Sequence, residues 1–192
     1  MSRLSSASQL SADEQQTLAD LAASIGTDTP SLAAIMAQES SFDPVAMNDS
    51  GHGGLIQISN ANAAALGYGS SQNIIDTYSD RISQMQGPVL SYFSYQIKHF
   101  GPINSFQDLC MAVYSPAQIG KTSIPADCQT YVGQIQPHLS DTSAVSWPVS
   151  GGSLPDPGTA SGSHLTDILI IIGALASAGG LFFFLNRPKK RV

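Results

Sequence analysis

An uncharged apolar run near the C-terminus places the strongest constraint on how this chain can fold. Residues 168–185 read ILIIIGALASAGGLFFFL and contain no charged side chain. As a helix, this run would extend about 27 Å, close to the roughly 30 Å hydrocarbon thickness of a bilayer. The alternative is a buried core helix, but we expect a single transmembrane helix over residues 165–186. The rest of the 192-residue chain has room for one domain of common size.

The charges beside this run indicate how it would be oriented. The sequence RPKKRV, residues 187–192, forms a basic tail directly after the run, whereas His164 and Asp167 precede it. Since positive flanks stay on the cytoplasmic side, the preceding domain is expected on the opposite side of the membrane.

Helical patterns fill the chain before the span. We expect a mobile Ser-rich N-terminus over residues 1–10, a helical domain over residues 11–139 and a Ser/Gly/Pro-rich flexible linker over residues 140–164. Ser11 and Glu14 form a capping-box pattern at the start of the first helix. Further helices are expected over residues 76–85, from Pro88, and in a short final segment that ends before Pro137.

A second helix carries the most informative residue of the domain. Thr29 is expected to cap this helix, and Glu39 falls on the same face as the apolar residues Ile35 and Met36. A solvated charge is the usual role of a glutamate at a helix end. Burial on an apolar face would instead raise its pKa, and a carboxylic acid protonated near neutral pH can cleave a glycosidic bond by general-acid catalysis.

Glu39 also opens the run ESSFDPVAMNDSGHGGLIQ, residues 39–57, and this run resembles the signature of the lytic transglycosylases and goose-type lysozymes. The matching residues are Glu39, Ser40, Phe42, Pro44, Ala46, Asn48, Gly54, Leu55, Ile56 and Gln57. A later run, DLCMAVYSPAQIGK over residues 108–121, is similar to the second family segment, with Tyr114 as the matching tyrosine. The resemblance covers roughly residues 12–138 and departs from the usual pattern at His52, at Ser59 and Asn60, and at Ser115 and Pro116.

The resemblance implies a fold, a reaction and a site. The fold would be a mainly α, lysozyme-like domain with at most a small β-hairpin. Glu39 would be the catalytic acid and then base in cleavage of the β-1,4 bond between N-acetylmuramic acid and N-acetylglucosamine, with a 1,6-anhydro product. The residues expected to orient Glu39 or contact the sugar are Ser40, Asn48, Gly54, Gln57 and Tyr114.

Three alternative functions remain open at this stage, one of them a cell-lysis factor whose anchor keeps it inactive until release. A lysozyme-type hydrolase would need a second carboxylate to activate water, and Asp43 and Asp49 are the nearby candidates. A non-catalytic, membrane-anchored glycan-binding protein of a virion or secretion machine would use the same cleft without cleaving its ligand.

Charge and cysteine content limit the partners. Residues 1–164 contain four basic and thirteen acidic residues, which makes nucleic acid an unexpected partner. Cys110 and Cys128, together with the four histidines, lack metal-site spacing, so neither a metal nor another cofactor is expected. The sequence leaves open whether the two cysteines form a disulfide.

The expected location follows from the anchor and the resemblance taken together. The first ten residues lack the apolar stretch of a secretory signal peptide, yet peptidoglycan lies outside the cytoplasmic membrane. A place in the membrane of a lipid-containing bacteriophage reconciles these points, since the particle would carry the enzyme to the wall. Its partners there would be other virion or envelope membrane proteins. The alternative is the bacterial inner membrane with the domain in the periplasm.

Overall fold

The computed structural model describes residues 6–152, and over these residues the protein is built from helices. Short 3₁₀ turns lie at Ser6–Gln9 and Pro116–Gln118, and a π-helical turn lies at Met85–Val89. The α-helices are α1 (Ala12–Ser24), α2 (Thr29–Ser40), α3 (Asn60–Ala65), α4 (Ser71–Thr77), α5 (Arg81–Gln84), α6 (Leu90–Phe100), α7 (Phe106–Tyr114) and α8 (Ala126–Ser143).

Helix α1 begins as the sequence predicts. The Ser11 side chain accepts a hydrogen bond from the Glu14 backbone N–H, and the Glu14 carboxylate accepts one from the Ser11 N–H at 2.7 Å. This reciprocal pair satisfies two backbone donors that the first turn of a helix otherwise leaves free. The 3₁₀ turn before it differs from the expected mobile N-terminus, because Ala7 and Leu10 are buried in the core.

Helix α2 forms the centre of the domain. Every residue from Ser31 to Ala37 is buried, because α2 packs along α8 and also contacts α1 and α7. The expected cap at Thr29 is wrong by one residue: Asp28 is the N-cap, and its carboxylate accepts from the Ser31 N–H at 2.8 Å. Helix α2 thereby carries its last turn, with Glu39, from the core toward the surface.

The middle of the chain differs from the expected helix boundaries. The helix expected over residues 76–85 is divided into α4 and α5, and Asp80 caps α5 by accepting from the Ser83 N–H. Pro88 does not start a helix but lies inside the π-helical turn, where the chain continues into α6. The π-helical turn is a form that sequence periodicity does not reveal.

The C-terminal end of the domain also differs from expectation, because α8 continues through Pro137 to Ser143. Pro137 and Gly133, four residues earlier, are both exposed, so the carbonyl group that loses its helical partner faces water. Beyond residue 139, Thr142 Oγ1 donates to the Pro30 carbonyl at 2.8 Å, and Trp147 packs against the core. The packed domain therefore extends beyond its expected end at residue 139, into the region expected to be a linker.

The expected small hairpin is reduced to two isolated β-bridges. Gly53 pairs with Met47 on one side and with Ile58 on the other. Cys110 and Cys128 are both buried and free, without a disulfide between them.

Among residues 6–152, no helix has the length and apolar character needed to cross a bilayer. The expected transmembrane helix, basic tail and much of the linker lie outside the described residues.

Candidate active site

Glu39 lies in the last turn of α2, on the helix face that the sequence predicts. Its side chain is largely withdrawn from water, and this burial raises the pKa of Glu39 from 4.5 to about 7. Its position near the C-terminus of α2 acts in the same direction, because the carbonyl end of a helix disfavours a negative charge. Near neutral pH, a substantial fraction of this carboxyl group is therefore protonated.

Tyr131 is the direct partner of this carboxyl group. From α8, its O–H donates a hydrogen bond of 2.5 Å to Glu39 Oε1, which favours the ionised form and opposes part of the effect of burial. Burial is the main cause that raises the pKa of Tyr131 well above its usual range, and the nearby charge of Glu39 adds to the shift. Tyr131 therefore remains a hydrogen-bond donor throughout the working pH range.

Two more buried groups complete the surroundings of Glu39. Burial raises the pKa of the Cys110 thiol to about 12 and raises that of Tyr92 as well, with the charge of Glu39 contributing to both shifts. The Tyr92 O–H donates to the Ala112 carbonyl at 3.0 Å. Tyr92 and Cys110 therefore stay neutral over the pH range in which Glu39 ionises.

Tyr131 is not among the site residues that the sequence patterns predict. Cys128, Tyr131 and Ile135 are all buried on α8, at spacings of three and four residues, so periodicity could have placed Tyr131 on the core face. Periodicity could not have shown that this face meets Glu39, which lies 92 residues earlier in the chain.

The backbone after Glu39 adopts an unusual conformation. Ser41 and Phe42 have φ angles of 53° and 62°, and Gln57 has a φ of 52°. These are the positive-φ residues other than glycine among residues 6–152, and all lie within the run 39–57. Arg81 stabilises this turn by donating from Nε to the Phe42 carbonyl at 2.6 Å. Left-handed non-glycine residues cluster at functional sites, where the surrounding contacts must hold them in place.

Ser40 connects the end of α2 to the loop that follows. Its Oγ is 3.2 Å from the Met36 carbonyl and 3.0 Å from the Leu55 carbonyl, within hydrogen-bond distance of both. The contact with Leu55 brings the end of the run 39–57 back to its beginning, next to Glu39.

Gln57 and Gly54 shape the same loop. The Gln57 amide donates to the Gly54 carbonyl at 3.0 Å and to the Ala46 carbonyl at 3.3 Å. Gly54 has a φ of +79°, and a Cβ atom added there would lie 2.6 Å from Gln84 Oε1. Only glycine fits at position 54, because the backbone is left-handed and the space beside it is occupied.

Asn48 and Tyr114, the remaining predicted residues, lie on different parts of the domain. The Asn48 side-chain oxygen accepts from the Ser50 and His52 backbone N–H groups at 2.9 and 3.0 Å, which fixes the exposed turn of the loop. The Tyr114 ring stacks on Tyr131 with centroids 4.7 Å apart and a 18° angle between the planes. Tyr114 therefore packs against Tyr131, and Tyr131 in turn contacts Glu39.

Together these contacts define a class of protein: an α-helical domain in which the carboxylic acid of Glu39 is largely withdrawn from water and can give and take a proton near pH 7. Among residues 6–152, no group of three or more His, Cys, Asp or Glu side chains could hold a metal ion.

Comparison with known families narrows the class further. Residues 19–101 match the family described as the transglycosylase SLT domain, and the matched stretch includes Glu39 and the whole run 39–57. This family comprises lytic transglycosylases that act on peptidoglycan. Residues 19–101 are therefore similar to the catalytic domain of peptidoglycan lytic transglycosylases. No curated protein and no solved structure was found to match the chain.

Proposed function

We propose that Glu39 cleaves the β-1,4 bond between N-acetylmuramic acid and N-acetylglucosamine by acting first as an acid and then as a base. The protonated carboxyl group donates its proton to the glycosidic oxygen as the bond breaks. The resulting carboxylate takes the proton of the muramic 6-hydroxyl group, whose oxygen attacks the anomeric carbon of the same sugar. This closes a 1,6-anhydro ring and returns Glu39 to its protonated form. The observation that carries the proposal is the setting of the Glu39 carboxyl group, which lies in the last turn of α2, accepts the Tyr131 O–H at 2.5 Å and is withdrawn from water, so that its pKa is raised to about 7.

The carboxylates near Glu39 in the sequence support intramolecular attack rather than attack by water. An inverting hydrolase needs a second carboxylate about 6.5–9.5 Å from the acid to activate water. The Asp43 carboxylate is exposed and accepts from the Val45 N–H at 3.0 Å, which assigns it to a turn of the loop. Asp49 is exposed in the next turn of the same loop.

We further propose that Ser40, Asn48, Gly54, Gln57 and Tyr114 form the substrate side of this site. Ser40 and Gly54 act through the backbone of the loop: Ser40 holds it against the end of α2, and Gly54 lets it approach the Gln84 side chain closely. Gln57 and Tyr114 are partly exposed beside this packed region, so each can offer polar atoms or a ring face to a sugar. Asn48 stabilises the exposed turn, which would border the glycan.

Mass spectrometry of the released muropeptides tests this reaction. Products with 1,6-anhydro ends are about 18 mass units lighter than hydrolysed products, because no water is added. Glu39→Gln should abolish release, whereas the matched controls Asp43→Asn and Asp49→Asn should each retain most activity. Reducing ends as the main product, with activity lost in either aspartate variant, would identify a lysozyme-type hydrolase instead.

We also propose that residues 165–186 anchor the enzyme in the membrane of a lipid-containing phage virion, where it opens the wall locally during genome entry. The support is the uncharged run 168–185 followed by the basic tail. The full-length protein should stay with membranes during carbonate extraction, and a chain that ends after His164 should be released. In purified particles the protein should accompany the lipid fraction; its absence there, with recovery from the bacterial inner membrane, would favour the periplasmic alternative.

A further inference from the structure

Gln84 is a buried glutamine whose polar groups all serve the backbone of neighbouring segments. Its side chain lies at the end of α5, and the residue is 1% exposed. The side-chain oxygen accepts from the Leu55 N–H at 2.9 Å, and the side-chain amide donates to the Pro44 and Tyr78 carbonyls at 2.5 and 2.8 Å. The oxygen and both amide protons are therefore in use.

Two of these partners are the two ends of one loop, residues 44–55. The loop forms only isolated β-bridges, so the backbone groups of Pro44 and Leu55 depend on a side chain for a partner. The loop also closes on itself, since the Gly54 N–H donates to the Ala46 carbonyl at 2.9 Å. Gln84 thus fastens both ends of the loop at one point.

Gly54 fits closely against Gln84. The nearest atoms to a Cβ at position 54 would all belong to the Gln84 amide group, the closest at 2.6 Å. Because Gly54 has no Cβ atom, the loop backbone can approach the Gln84 side chain.

The contacts continue from Gln84 to the catalytic helix. The Leu55 N–H donates to the Gln84 side-chain oxygen, and the Leu55 carbonyl lies 3.0 Å from Ser40 Oγ. Ser40 follows Glu39 in the last turn of α2. A single residue, Leu55, therefore joins the buried amide of α5 to the turn that carries the acid.

We propose that Gln84 is a positioning residue for the lytic reaction. By fixing loop 44–55 against the end of α2, it sets the direction of the Glu39 carboxyl group relative to the loop. Gln84 itself is buried behind the loop and does not touch the glycan. This role rests on the function proposed above, because it requires Glu39 to be the acid.

The test compares Gln84→Met with wild type in the full-length protein, using soluble, peptide-free glycan strands prepared from purified peptidoglycan. Methionine has a similar length but makes none of the three hydrogen bonds. We expect kcat to fall by about 10- to 100-fold, the effect of misplacing a reacting group by around 1 Å, while KM changes by less than about threefold. Thr142→Val is the matched control: it removes a buried side-chain hydrogen bond, to the Pro30 carbonyl, and should leave kcat near that of wild type.

Gln84→Glu supplies a second readout that a general loss of stability would not produce. A protonated glutamic acid can accept from the Leu55 N–H and donate to one carbonyl, whereas the ionised form has no proton to donate. The ratio of its kcat to that of wild type should therefore rise as pH falls from 8 to 5. The same ratio for Gln84→Met should stay flat.

Hydrogen exchange of the segment 44–55 separates this proposal from the proposed reaction. In Gln84→Met the Leu55 amide should exchange at least about tenfold faster than in wild type. An inactive wild type would refute the proposed reaction, while exchange would still report whether Gln84 holds the loop. Unchanged exchange, a kcat equal to that of the Thr142→Val control, or a defect confined to KM would each overturn the positioning role.

Discussion

Replacing Glu39 by Gln should make the protein more stable at alkaline pH while removing its activity. The pKa of Glu39 is about 7 in the folded protein against 4.5 for an unperturbed glutamate. Since the folded-state value is the higher one, the folded protein binds the proton more tightly than the unfolded chain. The resulting stabilisation is complete below about pH 4.5 and is lost as the pH rises through about 7.

The size of the effect follows from the same two values. Each pKa unit corresponds to about 1.4 kcal/mol, so ionisation of Glu39 costs the folded state about 3 kcal/mol at pH 8 and only a few tenths at pH 4. Glutamine keeps the oxygen that accepts from Tyr131 and carries no charge. The free energy of unfolding of Glu39→Gln should therefore exceed that of wild type by up to about 3 kcal/mol at pH 8 and should match it near pH 4.

Urea unfolding at a series of pH values between 4 and 8 measures this difference, with Glu14→Gln as control. Glu14 is the other glutamate of the chain. Burial alone would raise its pKa, but hydrogen bonds from Ser11 and Arg81 and the charge of Arg81 lower it. Its carboxylate therefore stabilises the fold above its unfolded pKa, and Glu14→Gln should lose stability at neutral pH. A Glu39→Gln protein less stable than wild type at pH 8, or a difference independent of pH, would refute the buried-acid argument.

Two further predictions concern the partners of α2. Tyr131→Phe removes the hydrogen bond that favours the Glu39 carboxylate, so the alkaline limb of the kcat–pH profile should move to higher pH, with kcat about tenfold lower; an unmoved limb would contradict this. A chain that ends after Gly152 should be about 2–3 kcal/mol more stable in urea than one that ends after Ser140, because only the longer chain contains Thr142 and Trp147. Equal stability would place the domain boundary near residue 139.

The sequence was most informative where structure is decided by neighbours in the chain. The capping box at Ser11 and Glu14 is confirmed because both partners lie within one helical turn. The placement of Glu39 on the inner face of α2 also required only the helical repeat and the apolar residues Ile35 and Met36. Local chemistry was sufficient in both cases.

Contacts between distant segments could not be predicted in the same way. Gln84 contacts Pro44 and Leu55 across 40 and 29 residues, and nothing in its own neighbourhood marks it as buried. The predicted end of the last helix before Pro137 is wrong for a related reason. A proline usually ends a helix, but α8 continues through Pro137. Packing of α8 against α2 keeps the helix intact beyond it, and such packing is a property of the whole fold.

The position of Glu39 also explains why a single carboxyl group can serve both halves of the proposed reaction. A strong acid would be ionised before the glycosidic oxygen needed its proton, and a very weak one would leave that oxygen unassisted. Burial and the C-terminal end of α2 favour the protonated form, while the Tyr131 hydrogen bond favours the carboxylate. The two influences balance near pH 7, where donating a proton and then recovering one from the 6-hydroxyl group are both feasible. The fold thus supplies through the surroundings of one residue what a hydrolase would divide between two carboxylates.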